Sequence, residues 1–175
     1  SDLIGSRIEL SVPAIRTSSD YEDSKRLIVA GCASPLVVLQ EFSGPLSGRS
    51  ALAFPESSGL ILAALLTGEE SIASELDVEV TGVLLEVGNI LLNSVLGTLA
   101  NEAGCALDYM LPELYCGPDA VRSLLREVSD EHSELLIADV NFHVDELATN
   151  GSVVIVFSCG SILRLVQNVE SQLIA

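Results

Sequence analysis

The run ELDVEVTGVLLEVGNILLNSVLGTLANEAG, beginning at Glu75, constrains the fold more than any other part of the chain. From about Glu75 to Ala103 it is too long for one strand, so its β-branched residues do not prevent its reading as a helix. In a helical register Glu79, Gly82, Glu86, Asn89 and Asn93 fall at i, i+3, i+7, i+10 and i+14, a single narrow stripe. Leu84, Val87, Leu91 and Val95 face elsewhere, toward a core. On pattern alone the stripe is the solvated face of an amphipathic helix. Two details set it apart. It has no lysine or arginine for i,i+4 pairing. It also places Gly82, Asn89 and Asn93, all poor helix formers, where an ordinary surface favours Glu, Lys or Ala.

The composition narrows what such a helix serves. A chain of 175 residues suffices for one domain with a sizeable core, 1–175. Hydrophobic residues make up 49% and aromatics only 4%, so that core is mainly Leu, Val, Ile and Ala. Eight basic against 25 acidic residues give a net charge of −17, which repels nucleic-acid backbones and anionic membrane surfaces. Nucleic acid is thereby excluded as a partner, and a protein with a basic patch is favoured. Membrane insertion is not expected. SGLILAALLTG is too short to span, and the long run is interrupted by Asp77, Glu79, Glu86 and Asn89. The opening SDLIGSRIEL is no signal peptide, which points to a cytoplasmic location. Cys32, Cys105, Cys116 and Cys159 form no C-x-x-C pair and read as reduced core thiols, not as a disulfide frame or a zinc site. His132 and His143 are read as surface residues without a role.

Turn chemistry orders the rest into an α+β fold. RIELSVP alternates up to Pro13, a strand with a proline stop. After a polar loop and LIVAGCA, PLVVLQEF and SALAF flank the turn SGPLSGR, a hairpin. PESSGLILAALL starts a helix at Pro55. Beyond the long helix, ALDYMLP reads as a short strand, GPDAVRSLLREV as an amphipathic helix, and ELLIADVNFHVDEL and SVVIVF as a hairpin turning at ATNG. GSILRLVQNVESQL closes the chain as a helix. A pseudo-repeat runs through this order, about 7–70 and 76–174. LSVP resembles DYMLP, and GRSALAF followed by SSGLILAALL resembles GSVVIVF followed by CGSILRLVQNV, with Phe54 matched to Phe157. Each unit is a strand, a hairpin and a helix, so the expectation is an antiparallel sheet packed against long helices. A counterpart of the long helix would fall before residue 1: either the native protein begins there, or its natural form carries a further helix.

The segment LLEVGNILL, with Glu86-x-x-Asn89, resembles the CheC/CheX/FliY family of chemotaxis phosphatases. Their signature runs from an acidic residue or serine through three residues to Glu, two residues to Asn, and 22 further residues to a proline. Residues 90 to 111 make 22 positions after Asn89, and Pro112 follows. LQEFSGPLSGRSALAF upstream looks like the family's hairpin, and the likeness extends over nearly the whole chain. One element departs: Gly82 stands four before Glu86, where the family has Asp or Ser.

This resemblance implies a CheC-like fold and hydrolysis of the phospho-aspartate on a CheY-type response regulator. Asn89 would position the attacking water and Glu86 would dock a basic residue of the regulator, with Glu79, Gly82 and Asn93 along the contact face. No cofactor is implied for this chain, since magnesium would sit on the regulator. The single Glu–Asn pair fits CheX-like stoichiometry, unless a helix upstream of residue 1 carries a second pair; since CheX-type members dimerise, the resemblance also implies a homodimer. The rival reading is a non-catalytic adaptor that binds a CheD-like deamidase, or a FliM/FliN-like switch component; Gly82 leans toward it and the intact pair away from it. A covalent-nucleophile hydrolase finds no Ser/His/Asp or Cys/His arrangement.

Overall fold

The structure, a computed structural model, describes residues 2–3, 6–18, 28, 34–69, 72–125, 134–144 and 147–158. The alternating N-terminal segment forms β1 (Asp2–Leu3) and β2 (Ser6–Ser18). The expected hairpin is present as β3 (Pro35–Ser43) and β4 (Gly48–Pro55), paired antiparallel from Pro35↔Pro55 to Phe42↔Gly48. Its turn uses Gly44 at φ +133°, where a Cβ would also meet the Ala106 carbonyl at 2.9 Å. Helix α1 (Glu56–Thr67) follows, then α2 (Val78–Glu102), the long helix. Asp77 starts α2 by accepting the Val80 N–H at 2.8 Å. Then come β5 (Asp108–Tyr109), β6 (Glu113–Cys116), helix α3 (Pro118–Leu124) and the hairpin β7 (Glu134–Val144) and β8 (Leu147–Phe157).

The strands make one antiparallel sheet in the order β1-β2-β7-β8-β4-β3-β5, with β6 also on β3. The two hairpins meet at its centre, where β4 pairs with β8 from Gly48↔Phe157 to Ala53↔Ser152. Along β3 the period of two divides the core between the two faces. Leu36, Val38 and Phe42 join Leu60 and Leu62 of α1 and Leu84, Val87, Leu92 and Leu96 of α2 in one cluster. Val37 and Leu39 join Ile28 and Ala120, Val121 and Leu124 of α3 in the other. Each fully buried leucine contributes on the order of 1.5–3 kcal/mol relative to exposure. Helix α2 has the length and apolar content of a membrane span, but its apolar face lies on β3 and β4.

Several sequence expectations need correction. Pro13 does not stop its strand. The β2–β7 register shifts between Ser11 and Ala14, so a bulge takes the proline, which has no N–H to donate, out of the ladder while β2 continues. ALDYMLP is not one strand either. Tyr109 pairs with Phe42 and Glu113 with Leu39, so the three residues Met110–Pro112 oppose only Gln40 and Glu41. Pro112 thus interrupts a ladder that resumes in β6, which the sequence reading lacked. The second hairpin turns before ATNG, not at it. Ladder pairs run to Val144↔Leu147, because pairing Ala148–Gly151 with Val140–His143 satisfies backbone groups that a turn there would leave open. Cys105 is a half-buried free thiol and Cys116 an exposed one, so Cys116 does not belong to the core. Cys32, Cys159, His132, the loop after Ser18, most of LIVAGCA and the C-terminal helix lie outside the described residues.

Candidate functional site

The stripe seen in the sequence is a physical face of α2. Glu79, Gly82 and Glu86 are exposed, and Asn89 and Asn93 are half-buried further along the same side. On the opposite side Leu84 and Val87 are buried, while Leu91 and Val95 are partly buried against the same cluster. The division follows from the helical period, since the side that meets the sheet is apolar. A Cβ at Gly82 would meet nothing within 4 Å. At Gly88 it would overlap the Val38 side chain, so Gly88 serves close packing of the helix on β3. The face is acidic, because it carries Glu79 and Glu86 while α2 has no lysine or arginine. Among the described residues no group of three or more His, Cys, Asp or Glu could hold a metal ion.

At its inner end the stripe is wired into the sheet. Asn93 Nδ2 donates to Asn89 Oδ1 at 2.9 Å. Gln40 Nε2 donates to Asn93 Oδ1 at 3.1 Å and to the Met110 carbonyl at 2.9 Å. Gln40 is 1% exposed. It stands on β3 at the position where the run Leu36, Val38, Phe42 would otherwise continue apolar toward α2. Beside it, Met110 and Leu111 project from the bulge, 60% and 87% exposed. Polar and apolar surface therefore meet at the Asn89 end of the stripe.

The structure thus gathers Asn89 and Asn93 into one network, while Glu79, Gly82 and Glu86 share its face without entering it. Sequence reasoning missed Gln40 and the Met110 carbonyl. Gln40 was visible as the one polar residue on the helix-facing period of PLVVLQEF. The carbonyl was not, since it depends on the bulge. Chemically, the face offers a carboxylate one turn from a carboxamide held on one side and open on the other.

No protein-family model matches the chain, and neither does any curated protein sequence. Solved structures do. FliY from Thermotoga maritima superposes with a TM-score of 0.73 at 17% identity, over 97% of this chain and 85% of that one. The FliM middle domain from Vibrio alginolyticus gives 0.63 at 12% identity, over 95% and 88%. CheX from Borrelia burgdorferi, solved in complex with CheY, BeF3 and Mg2+, gives 0.50 at 21% identity, over 79% and 93%. The chain has the fold of the CheC/CheX/FliY family.

Proposed function

We propose that the chain is a phosphatase acting on the phospho-aspartate of a CheY-type response regulator, with Asn89 and Glu86 as its working pair. The observation that carries this reading is the placement of Glu86 and Asn89 one turn apart on the outward face of α2, with the Asn89 amide braced by Asn93. The shared fold, and the CheX of Borrelia burgdorferi solved with CheY, support it.

An acyl phosphate is already labile, so positioning supplies most of the acceleration and no covalent nucleophile is needed. Water oxygen attacks phosphorus, the bond from phosphorus to the aspartyl oxygen breaks, and inorganic phosphate and a free carboxylate result. Asn89 holds that water in line. Its Oδ1 keeps a second lone pair for a water hydrogen, and its Nδ2 protons are free to donate. Glu86, exposed and anionic, accepts a charge-assisted hydrogen bond from a basic residue of the regulator. Gly82, Glu79 and Asn93 lie along the contact face. Magnesium is held by the regulator, and this chain contributes no ligand to it. The acidic surface steers it toward a basic partner.

The test is phosphate release from a phosphorylated CheY-type regulator, with wild type and Asn89→Ala compared. Acceleration by wild type, reduced on the order of 10²-fold in the variant, is the expected result. A second reading is favoured by the likeness to the FliM middle domain and by Gly82: a binding module that docks a partner such as a CheD-like deamidase without catalysis. Binding without acceleration by wild type would select it.

A further inference from the structure

The direction of each amide in the chain Gln40–Asn93–Asn89 is set from one end. A backbone carbonyl only accepts, so the Gln40 atom 2.9 Å from the Met110 oxygen must be Nε2. Its second proton goes to Asn93, which must therefore turn Oδ1 inward and offer Nδ2 to Asn89. Asn89 accepts through Oδ1, and its Nδ2 is left without a hydrogen-bond partner among the described residues. Turning Gln40 over would set two oxygens against each other, and the reversal would run to the surface. The Met110 carbonyl is available because the Met110–Pro112 bulge takes it out of the ladder, where it accepts from a side chain. Gln40 holds this pose although its own Oε1 is buried with no hydrogen-bond partner among the described residues. A core position chosen for stability alone would be filled by an apolar side chain such as leucine.

We propose that Gln40, acting through Asn93, is the positioning residue that decides which end of the Asn89 carboxamide faces the partner, with the Pro112 bulge supplying the anchor. The role rests on the phosphatase reading for its catalytic meaning, but the orientation itself does not. Gln40 touches no reacting atom. Its effect is to keep the Asn89 amide in one of its two orientations and, by drawing on Oδ1, to make Nδ2–H a better donor. Loss of that hold lowers the fraction of encounters with a correctly turned amide, which reduces kcat and leaves docking through Glu86 in place.

The experiment uses Gln40→Met, Asn93→Ala and the double variant in the full chain, with two readouts. Side-chain amide NMR follows hydrogen exchange at Asn93 Nδ2 and the chemical shifts of Asn89 Nδ2, with the backbone spectrum reporting the fold. Phosphate release from a phosphorylated CheY-type regulator gives kcat and KM. The expected result for Gln40→Met is faster exchange at Asn93, a shifted Asn89 signal, and kcat lower by roughly 10-fold with KM nearly unchanged. Both single substitutions cut the same chain, so the double variant should be no slower than the slower single one. Unchanged Asn89 and Asn93 signals in Gln40→Met would overturn the proposal. So would an unchanged kcat, or losses that multiply in the double variant. Asn93 is half-buried, so its variant keeps the test available if Gln40→Met fails to fold. Inert wild-type protein would instead defeat the phosphatase reading, and the NMR readout alone would then decide whether Gln40 orients Asn89.

Discussion

Val38 lies so close beneath Gly88 that a methyl group added to the glycine would overlap the valine side chain. This crossing point sets the height of α2 above β3, and hence the reach from Gln40 to Asn93. Gly88→Ala should therefore destabilise the protein. Overpacking a well-filled core costs about 1–3 kcal/mol, more than the roughly 1 kcal/mol that alanine gains over glycine within a helix. Urea or thermal unfolding measures the net loss, and an unchanged or raised Tm would mean that the helix can lift without strain.

Gly82 tests the same substitution with the opposite sign. It is exposed on α2, and an added Cβ meets nothing within 4 Å. Gly82→Ala should stabilise by about 0.5–1 kcal/mol, a rise in Tm of about 1–4 °C for a chain of this size. Calorimetry on the two glycine variants side by side would separate packing from helix propensity.

Asp77 caps α2 at an exposed position, through the 2.8 Å bond from the Val80 N–H. Asp77→Ala leaves that donor without its side-chain partner and removes a negative charge from the helix N-terminus, for a loss of about 1 kcal/mol. Asp77→Asn should retain most of the stability, because asparagine is also a good cap. Equal losses in the two variants by urea denaturation would show that charge, not the cap bond, dominates.

Glu86 has a docking role in the proposed reaction, and its effect should be electrostatic. Glu86→Gln should raise KM for the phosphorylated regulator more than it lowers kcat, and it should flatten the dependence of KM on salt. Initial rates at low and high ionic strength give both. A fall in kcat alone would place Glu86 in the chemical step instead.

The Cys116 thiol gives a probe outside the site. Although Cys116 is exposed as a residue, desolvation of its thiol and, secondarily, the Glu56 carboxylate push its pKa above the ordinary cysteine value. At any given pH near neutrality less thiolate is present, so alkylation should be slower than for an unperturbed thiol, with the rate rising through a higher pH. Peptide-resolved mass spectrometry against pH checks this, and a profile at or below that of a model thiol would refute it.

The long helix and the polar face it presents are properties of the sequence alone. The apolar positions of Val78–Glu102 recur at the helical period, so any fold that buries one side must expose Glu79, Gly82 and Glu86 together. The two hairpins were legible for a similar reason, since apolar runs of strand length flank compact turn residues, although Val144↔Leu147 closes the second ladder earlier than ATNG implied. Tertiary structure decided what the prolines do. Pro13 and Pro112 look like strand stops locally, but each sits in a bulge because the partner strand continues past it and holds the ladder on both sides. It also decided the orientation of the Asn89 carboxamide. A carboxamide has no preferred outward end in a sequence; that end is chosen by a chain of hydrogen bonds in which Asn93 donates to Asn89 and Gln40 donates to Asn93 and to the Met110 carbonyl, residues brought together only when α2 lies on β3.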